Sequence, residues 1–84
     1  MIMGTTGAGL SGSTVVSIPG APTTFGNPIL FTSIIVGQGN DVNIYCVNAV
    51  VINATQFRYR KRRWNGAVLA DTSTEDINYI AYWL

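Results

Sequence analysis

The side chains most able to do chemistry are concentrated in the last third of the chain. All five positive charges lie between Arg58 and Arg63, and three of the four carboxylates follow shortly after as Asp71, Glu75 and Asp76. Arginine carries a planar guanidinium that binds carboxylate or phosphate groups through two parallel hydrogen bonds. The basic run is therefore suited to an anionic ligand.

The residues needed for most enzymatic sites are missing. Paired carboxylates can hydrolyse glycosides, but these three fall within six residues of one polar loop and predict a turn or a single helical turn instead. The chain has no histidine and only Cys46, which excludes an internal disulfide, the usual zinc sites and a nucleophilic triad or dyad. We expect a non-enzymatic protein with no cofactor and no metal.

The composition indicates one small domain that associates with copies of itself. Of the 84 residues, 48% are hydrophobic and only 11% are charged, against about 25% charged in an average soluble protein. A domain this small has too little interior for so many apolar side chains, and a subunit interface is the usual place for the excess. The longest apolar stretch, residues 29–36, is too short for a spanning helix, so we expect no membrane insertion.

Patterns of β-branched and aromatic residues separated by Gly, Pro and Asn predict strands and no helix. The predicted fold is all-β, a six-stranded antiparallel β-sandwich spanning residues 14–84. Residues 1–13 are rich in Gly, Ser and Thr and predict a flexible leader or linker, with any remainder of a longer protein on that side. The six predicted strands are 14–18, 29–36, 42–52, 57–64, 67–70 and 77–84.

Alternation along the fourth predicted strand divides its side chains between two faces. Phe57 and Tyr59 point to the core, and the arginines at 58, 60 and 62 form a ridge on the outer face. Lys61 and Arg63 break the apolar alternation, which places them near the strand end, at an interface or past a bulge.

Three interpretations of this basic strand compete. It is a solvated face that keeps an apolar module soluble, a surface that binds anionic glycans, or a nucleic-acid-binding segment, the least favoured of the three. Asp71, Glu75 and Asp76 could also form ion pairs with the arginines of the same or a neighbouring subunit.

The last predicted strand is apolar on both faces, which predicts burial on both. We expect Ile77, Tyr79 and Ile80 to contribute to a trimer interface. Tyr82 and Trp83 are open between the same interface and an aromatic platform on which a sugar ring stacks.

The order of several short motifs resembles the H-type lectin fold and the related C-terminal domains of phage tail fibres. Those domains share a strand ending in a Val-Thr-like turn, an aromatic residue, a Trp several residues on, and a final Ile-Asn-Trp-Ile-Ala strand. The matching segments here are Ile52-Asn53-Ala54-Thr55-Gln56-Phe57, then Trp64, then Ile77-Asn78-Tyr79-Ile80-Ala81.

This resemblance implies a homotrimer that recognises cell-surface sugars. A phage fibre tip, assembled in the host cytoplasm and binding a bacterial surface polysaccharide or lipopolysaccharide, is the favoured function. The glycan-binding candidates are Arg58, Arg60, Arg62, Arg63, Trp64, Asn65, Tyr82 and Trp83.

One departure from the family pattern bears on that site. The sugar-contacting His that follows the Trp in the animal lectins is Asn65 here, so we expect their amino-sugar pocket to be absent. The alternatives are a purely structural trimerisation or capping module of a fibre, and a small basic nucleic-acid-binding or virion-assembly protein.

Overall fold

The computed structural model describes residues 1–7, 13–35, 44–72 and 75–84. Within these ranges the chain forms seven strands and no helix, so no described helix could cross a membrane. The strands are β1 (Ile2–Thr6), β2 (Ser13–Ser17), β3 (Ile29–Ile35), β4 (Ile44–Val51), β5 (Gln56–Trp64), β6 (Leu69–Asp71) and β7 (Asp76–Tyr82).

The strands form two antiparallel sheets, which we call sheet A and sheet B. Sheet A has the order β1-β7-β3, and sheet B has the order β2-β5-β4. The short strand β6 pairs with the end of β5 that β2 does not reach, because β2 pairs with residues 56–60 and β6 with residues 62–64. The central strands β5 and β7 therefore carry the inner faces of the protein.

The core lies where these two central strands face each other. Phe57 and Tyr59 of β5 are buried against Ile77 and Tyr79 of β7. The rings of Phe57 and Tyr79 meet edge to face with centroids 5.1 Å apart, a favoured aromatic geometry. The predicted all-β character and the alternation along the last strand are confirmed.

This packing corrects the prediction for the trimer interface. Ile77 is fully buried and Tyr79 is 5% exposed within a single chain, so neither side chain is free to contact a neighbouring subunit. Ile80 points the other way and is 37% exposed. The last strand is apolar on both faces, but a single chain already buries the face that carries Ile77 and Tyr79.

The predicted flexible leader was wrong for its first residues. Ile2–Thr6 forms β1, which pairs antiparallel with β7 along five residues from Ile2 opposite Ala81 to Thr6 opposite Ile77. The remainder of the predicted leader, residues 8–12, lies outside the described residues, and Ser13 already belongs to β2. Ladder hydrogen bonds to a buried partner strand order a segment whose own composition would not.

Position 4 of β1 requires glycine, because the strand passes very close to Tyr79 there. A Cβ built at this position would lie 2.5 Å from both Cζ and the hydroxyl oxygen of Tyr79, closer than any real contact. The ring passes directly beneath the Gly4 backbone and is held there by the core. Glycine is thus required for close approach, although it weakens a strand elsewhere.

We expect Gly4→Ala to destabilise the protein by about 1–3 kcal/mol, because the new methyl group overpacks the site above Tyr79. The matched control is Gly26→Ala, where a Cβ would meet no atom within 4 Å. Urea unfolding of both variants measures the difference. Equal stability of the two variants would show that β1 does not lie over Tyr79.

The turn between β5 and β6 is longer than predicted. The pair Asn65-Gly66, between the predicted strands 57–64 and 67–70, predicts a two-residue turn. Trp64 instead pairs with Leu69, which leaves four residues in the loop. The Asn65 Oδ1 accepts hydrogen bonds from the backbone N–H groups of Ala67 and Val68, both at 3.0 Å. This side-chain turn closes the wider loop, with Gly66 at a φ of 96°.

The other strand limits agree with prediction to within about two residues where they are described. Strand β6 begins and ends later than the predicted strand 67–70, and β7 ends at Tyr82 rather than at residue 84. Residues 37–41, which separate two predicted strands and predict a turn through their Gly and Asn, lie outside the described residues. So do the last residue of predicted strand 29–36 and the first two of strand 42–52.

A buried lysine joins the two sheets at one end of the core. Lys61 is fully buried and continues the inward alternation of β5, in unbroken register with Val47 of β4. Its ammonium group donates hydrogen bonds to the backbone carbonyls of Gly7, just after β1, and Glu75, just before β7. The sequence predicted that Lys61 lies near the strand end, at an interface or past a bulge. The strand instead continues through Lys61, whose side chain is buried inside the single chain.

The surroundings of this lysine are polar and closed. Glu75 is 5% exposed, and its carboxylate accepts a hydrogen bond from the hydroxyl of Thr72. Burial lowers the pKa of Lys61, and the nearby charges of Glu75 and Asp76 oppose that shift. Because the ammonium bonds to both β1 and the approach to β7, it fixes sheet A against sheet B.

Candidate ligand-binding face

The outer face of sheet B carries the predicted arginine ridge. Phe57 and Tyr59 hold β5 against the core, so the side chains at the alternate positions 58, 60 and 62 must point outward. Arg58 and Arg60 are exposed, and Arg62 is half-buried on the same side of the strand. We call the outer surface formed by the arginines at 58, 60 and 62 together with Trp64 the basic face.

Asp71 of β6 partly neutralises the middle of the basic face. Arg60 binds it in a two-pronged ion pair, with Nε 2.7 Å from Oδ1 and Nη2 3.0 Å from Oδ2. The Nε of Arg62 lies 3.7 Å from the same Oδ1. The hydrogen bond from Arg60 lowers the pKa of Asp71, and the charges of both arginines add to the effect. Two arginines, Arg60 and Arg62, therefore share one carboxylate.

Arg58 stands apart from this network. It lies between two exposed valines of the neighbouring strands, Val15 at 54% and Val50 at 62% exposure. A shallow cleft of about 330 Å³ opens beside it, where Ser13 and Asn48 add small polar groups next to Arg60. Among the described residues, Arg58 has no ion-pair partner, so its guanidinium is free to bind an anion.

Trp64 ends the basic face with an apolar surface. Its side chain is 39% exposed and lies across from Ile44 on β4 and Leu69 on β6, which are 66% and 46% exposed. An indole beside arginines offers a flat apolar surface next to charge, an arrangement that suits a sugar ring with an acidic substituent.

Two predicted site residues on β5 and its loop lie away from this face. Arg63 is exposed, but alternation puts its side chain on the opposite side of the strand from Arg62. The side-chain oxygen of Asn65 is engaged in the loop after β5, so this residue acts mainly as a turn former. The polar position after the Trp is therefore structural here.

Tyr82 and Trp83 are also separate from the basic face, because Tyr82 is the last residue of β7 in sheet A and Trp83 follows it. Trp83 is half-buried against the core, and its indole N–H donates a 2.8 Å hydrogen bond to the carbonyl of Ala54. Tyr82 lies on the outer face of sheet A, with its ring 6.2 Å from that of Phe31. The structure thus divides the eight predicted residues between the two sheets.

The partners that surround the ridge were not predicted individually. Strand alternation identifies the arginines, but Val15, Val50 and Asn48 depend on which strands flank β5. Asp71 was one of three carboxylates weighed as ion-pair partners, and it alone reaches the arginines among the described residues, since Glu75 turns inward. The described residues contain no cluster of His, Cys, Asp or Glu suited to a metal ion.

Comparison with protein families, with curated proteins and with solved structures finds no match to this chain.

Proposed function

We propose that this protein is a non-enzymatic, receptor-binding module that attaches to an acidic polysaccharide through the basic face. The observation that carries the proposal is the cluster of Arg58, Arg60 and Arg62 on one sheet surface, next to the exposed ring of Trp64. Among the described residues, Asp71 alone balances this charge. The remaining charge on this surface is positive, so the preferred ligand is an anion.

The motif resemblance supports a more specific setting. A phage tail fibre tip would present this face to a bacterial surface polysaccharide or lipopolysaccharide, with the rest of the fibre on the N-terminal side. Carboxylate and phosphate substituents are the groups that arginine binds best. Assembly as a homotrimer would place three basic faces on one particle and raise avidity without new contacts.

The proposal predicts that charge on the basic face controls binding to acidic polysaccharide. The probes are alginate, which carries carboxylates, and dextran, which carries no charge. Replacing Arg58 and Arg62 with Ser should weaken alginate binding by at least about tenfold, because each charge-assisted hydrogen bond contributes roughly 1.5–3 kcal/mol. Asp71→Asn should strengthen it by about fivefold, because a carboxylate that competes for the arginines is removed.

Arg63→Ser is the matched control, since it removes the same charge from the same strand on the opposite side. The single variant Arg58→Ser should lose clearly more alginate binding than Arg63→Ser. Equal losses would show that only total charge matters, and tight binding of a DNA duplex would favour the nucleic-acid function. Light scattering after size exclusion tests the trimer, which should have three times the 9.0 kDa mass of one chain.

A further inference from the structure

The outer face of sheet A holds a second cleft, on the opposite side of the protein from the basic face. Its volume is about 630 Å³, within the range of small-molecule sites. It runs across all three strands of the sheet, between a row of large apolar side chains and a row of small polar ones. These two rows consist of Met3, Phe31 and Ile80 on the apolar side and Thr5, Ser33 and Asn78 on the polar side.

The apolar row forms one wall of this cleft. Phe31, Ile80 and Met3 lie side by side in register across β3, β7 and β1. Phe31 is 57% exposed, and it stacks beside Tyr82 with the two ring planes 16° apart. The neighbouring ring fixes the orientation of Phe31, which leaves a preorganised aromatic surface open to the cleft.

The polar row lies next to it along the strands. Thr5, Asn78 and Ser33 are again side by side in register. The hydroxyl of Thr5 donates a 2.9 Å hydrogen bond to Oδ1 of Asn78. This bond orients the amide, so its two N–H donors remain for a ligand, with the Ser33 hydroxyl beside them.

The charge of this cleft differs from that of the basic face. Among the described residues, none that lines the cleft is charged. The nearest charge on the same face of β7 is the carboxylate of Asp76, one alternate position beyond Asn78. The described lining residues therefore offer an anionic ligand no opposite charge, and an uncharged ligand needs none.

A second copy of this chain fits the cleft less well than a small ligand does. Strands of five, seven and seven residues, about 4.8 Å apart, cover roughly 310 Å² of sheet, against about 800 Å² per partner in a stable interface. A flat protein partner would also bury the row of Asn78, Thr5 and Ser33, whose polar groups then need new partners.

We infer that this cleft binds an uncharged sugar ring, with its apolar C–H face on Phe31 and its hydroxyl groups on the amide of Asn78 and the hydroxyl of Ser33. The inference rests on the proposed function in one respect, that the ligand class is a glycan. It adds a site for neutral residues of a polysaccharide whose acidic residues bind the basic face, on the other side of the module.

The test is saturation-transfer NMR with a panel of neutral oligosaccharides built from glucose, galactose, mannose, rhamnose and N-acetylhexosamines. At least one should bind the unaltered protein, and the binding should be insensitive to salt. Phe31→Ala should weaken it by about tenfold or more through loss of the stacking surface. Asn78→Asp should weaken it similarly, because the carboxylate has no N–H donor.

Phe25→Ala is the matched control, since Phe25 is 51% exposed and lies outside the cleft. It should leave sugar binding unchanged. No binding across the panel, or equal losses in the two Phe variants, would overturn the inference. So would a fall in native mass for Phe31→Ala without a change in sugar binding, which would assign the face to subunit contact. Alginate binding of Phe31→Ala should stay normal, so failure here is distinct from failure at the basic face.

Discussion

Replacing Tyr79 with aspartate is expected to unfold the protein. Tyr79 is 5% exposed, with Phe57 against its ring on one side and the backbone of Gly4 above it. The substitution removes a large aromatic side chain from the core and puts a carboxylate without a partner in its place. The combined cost is about 5 kcal/mol or more, comparable to the whole stability of a small domain, at roughly 5 kcal/mol.

Circular dichroism and urea unfolding measure this effect. Asn78→Asp is the matched control, because it adds the same side chain one residue earlier, on the exposed outer face of β7. That variant should keep the native fold. If the Tyr79 variant folded with a normal urea midpoint, the inner and outer faces of β7 would be assigned the wrong way round.

Replacing Lys61 with methionine is the second large effect that we expect. The substitution keeps the length of the side chain and removes the ammonium group that binds the carbonyls of Gly7 and Glu75. Both acceptors and the nearby Glu75 carboxylate then lose a cationic partner within the protein. We expect a loss of about 3–5 kcal/mol in the free energy of unfolding, as for other buried charges that lose a partner.

The control for this variant is Arg58→Met, an equivalent loss of charge at an exposed position of the same strand. Surface changes of this kind usually alter stability by less than about 0.5 kcal/mol. Amide hydrogen exchange adds a sharper readout, since Lys61→Met should release β1 before the rest of the fold. Equal stability of the two variants would mean that the buried ammonium does not hold the sheets together.

The strand pattern was predictable because most strands here are locally rich in β-branched and aromatic residues. The exception is β1, whose Gly4-Thr5-Thr6 segment has the composition of a linker. Its order comes from pairing with β7, more than 70 residues away, and from the Tyr79 ring beneath Gly4. No local signal reports a contact of that range.

Lys61 shows the same limit in the core. Charged residues are almost never buried without partners, so a lysine at an inward position of the strand predicts a strand end, an interface or a bulge. Here the partners are two backbone carbonyls at Gly7 and Glu75, which the sequence cannot bring together. Lys61 breaks the apolar alternation in the sequence, whereas strand β5 continues through it.

The candidate site was predictable in part. Alternation along β5 is enough to put the arginines on one face, because Phe57 and Tyr59 require the other. Tyr82 and Trp83 were grouped with them by residue type, but strand order separates them into the other sheet. The cleft beside Phe31 was missed, since it depends on the register of three strands that are distant in sequence.

The most direct test of the proposed function is a map of where an acidic glycan contacts the unaltered protein. A two-dimensional NMR titration with alginate oligomers reports every backbone amide, the arginine Nε–H groups and the indole N–H groups. We predict that the shifted signals cluster at Arg58, Arg60 and Trp64 on the outer face of sheet B. Shifts confined to sheet A, or no shifts at millimolar oligomer, would contradict the assignment of glycan binding to the basic face.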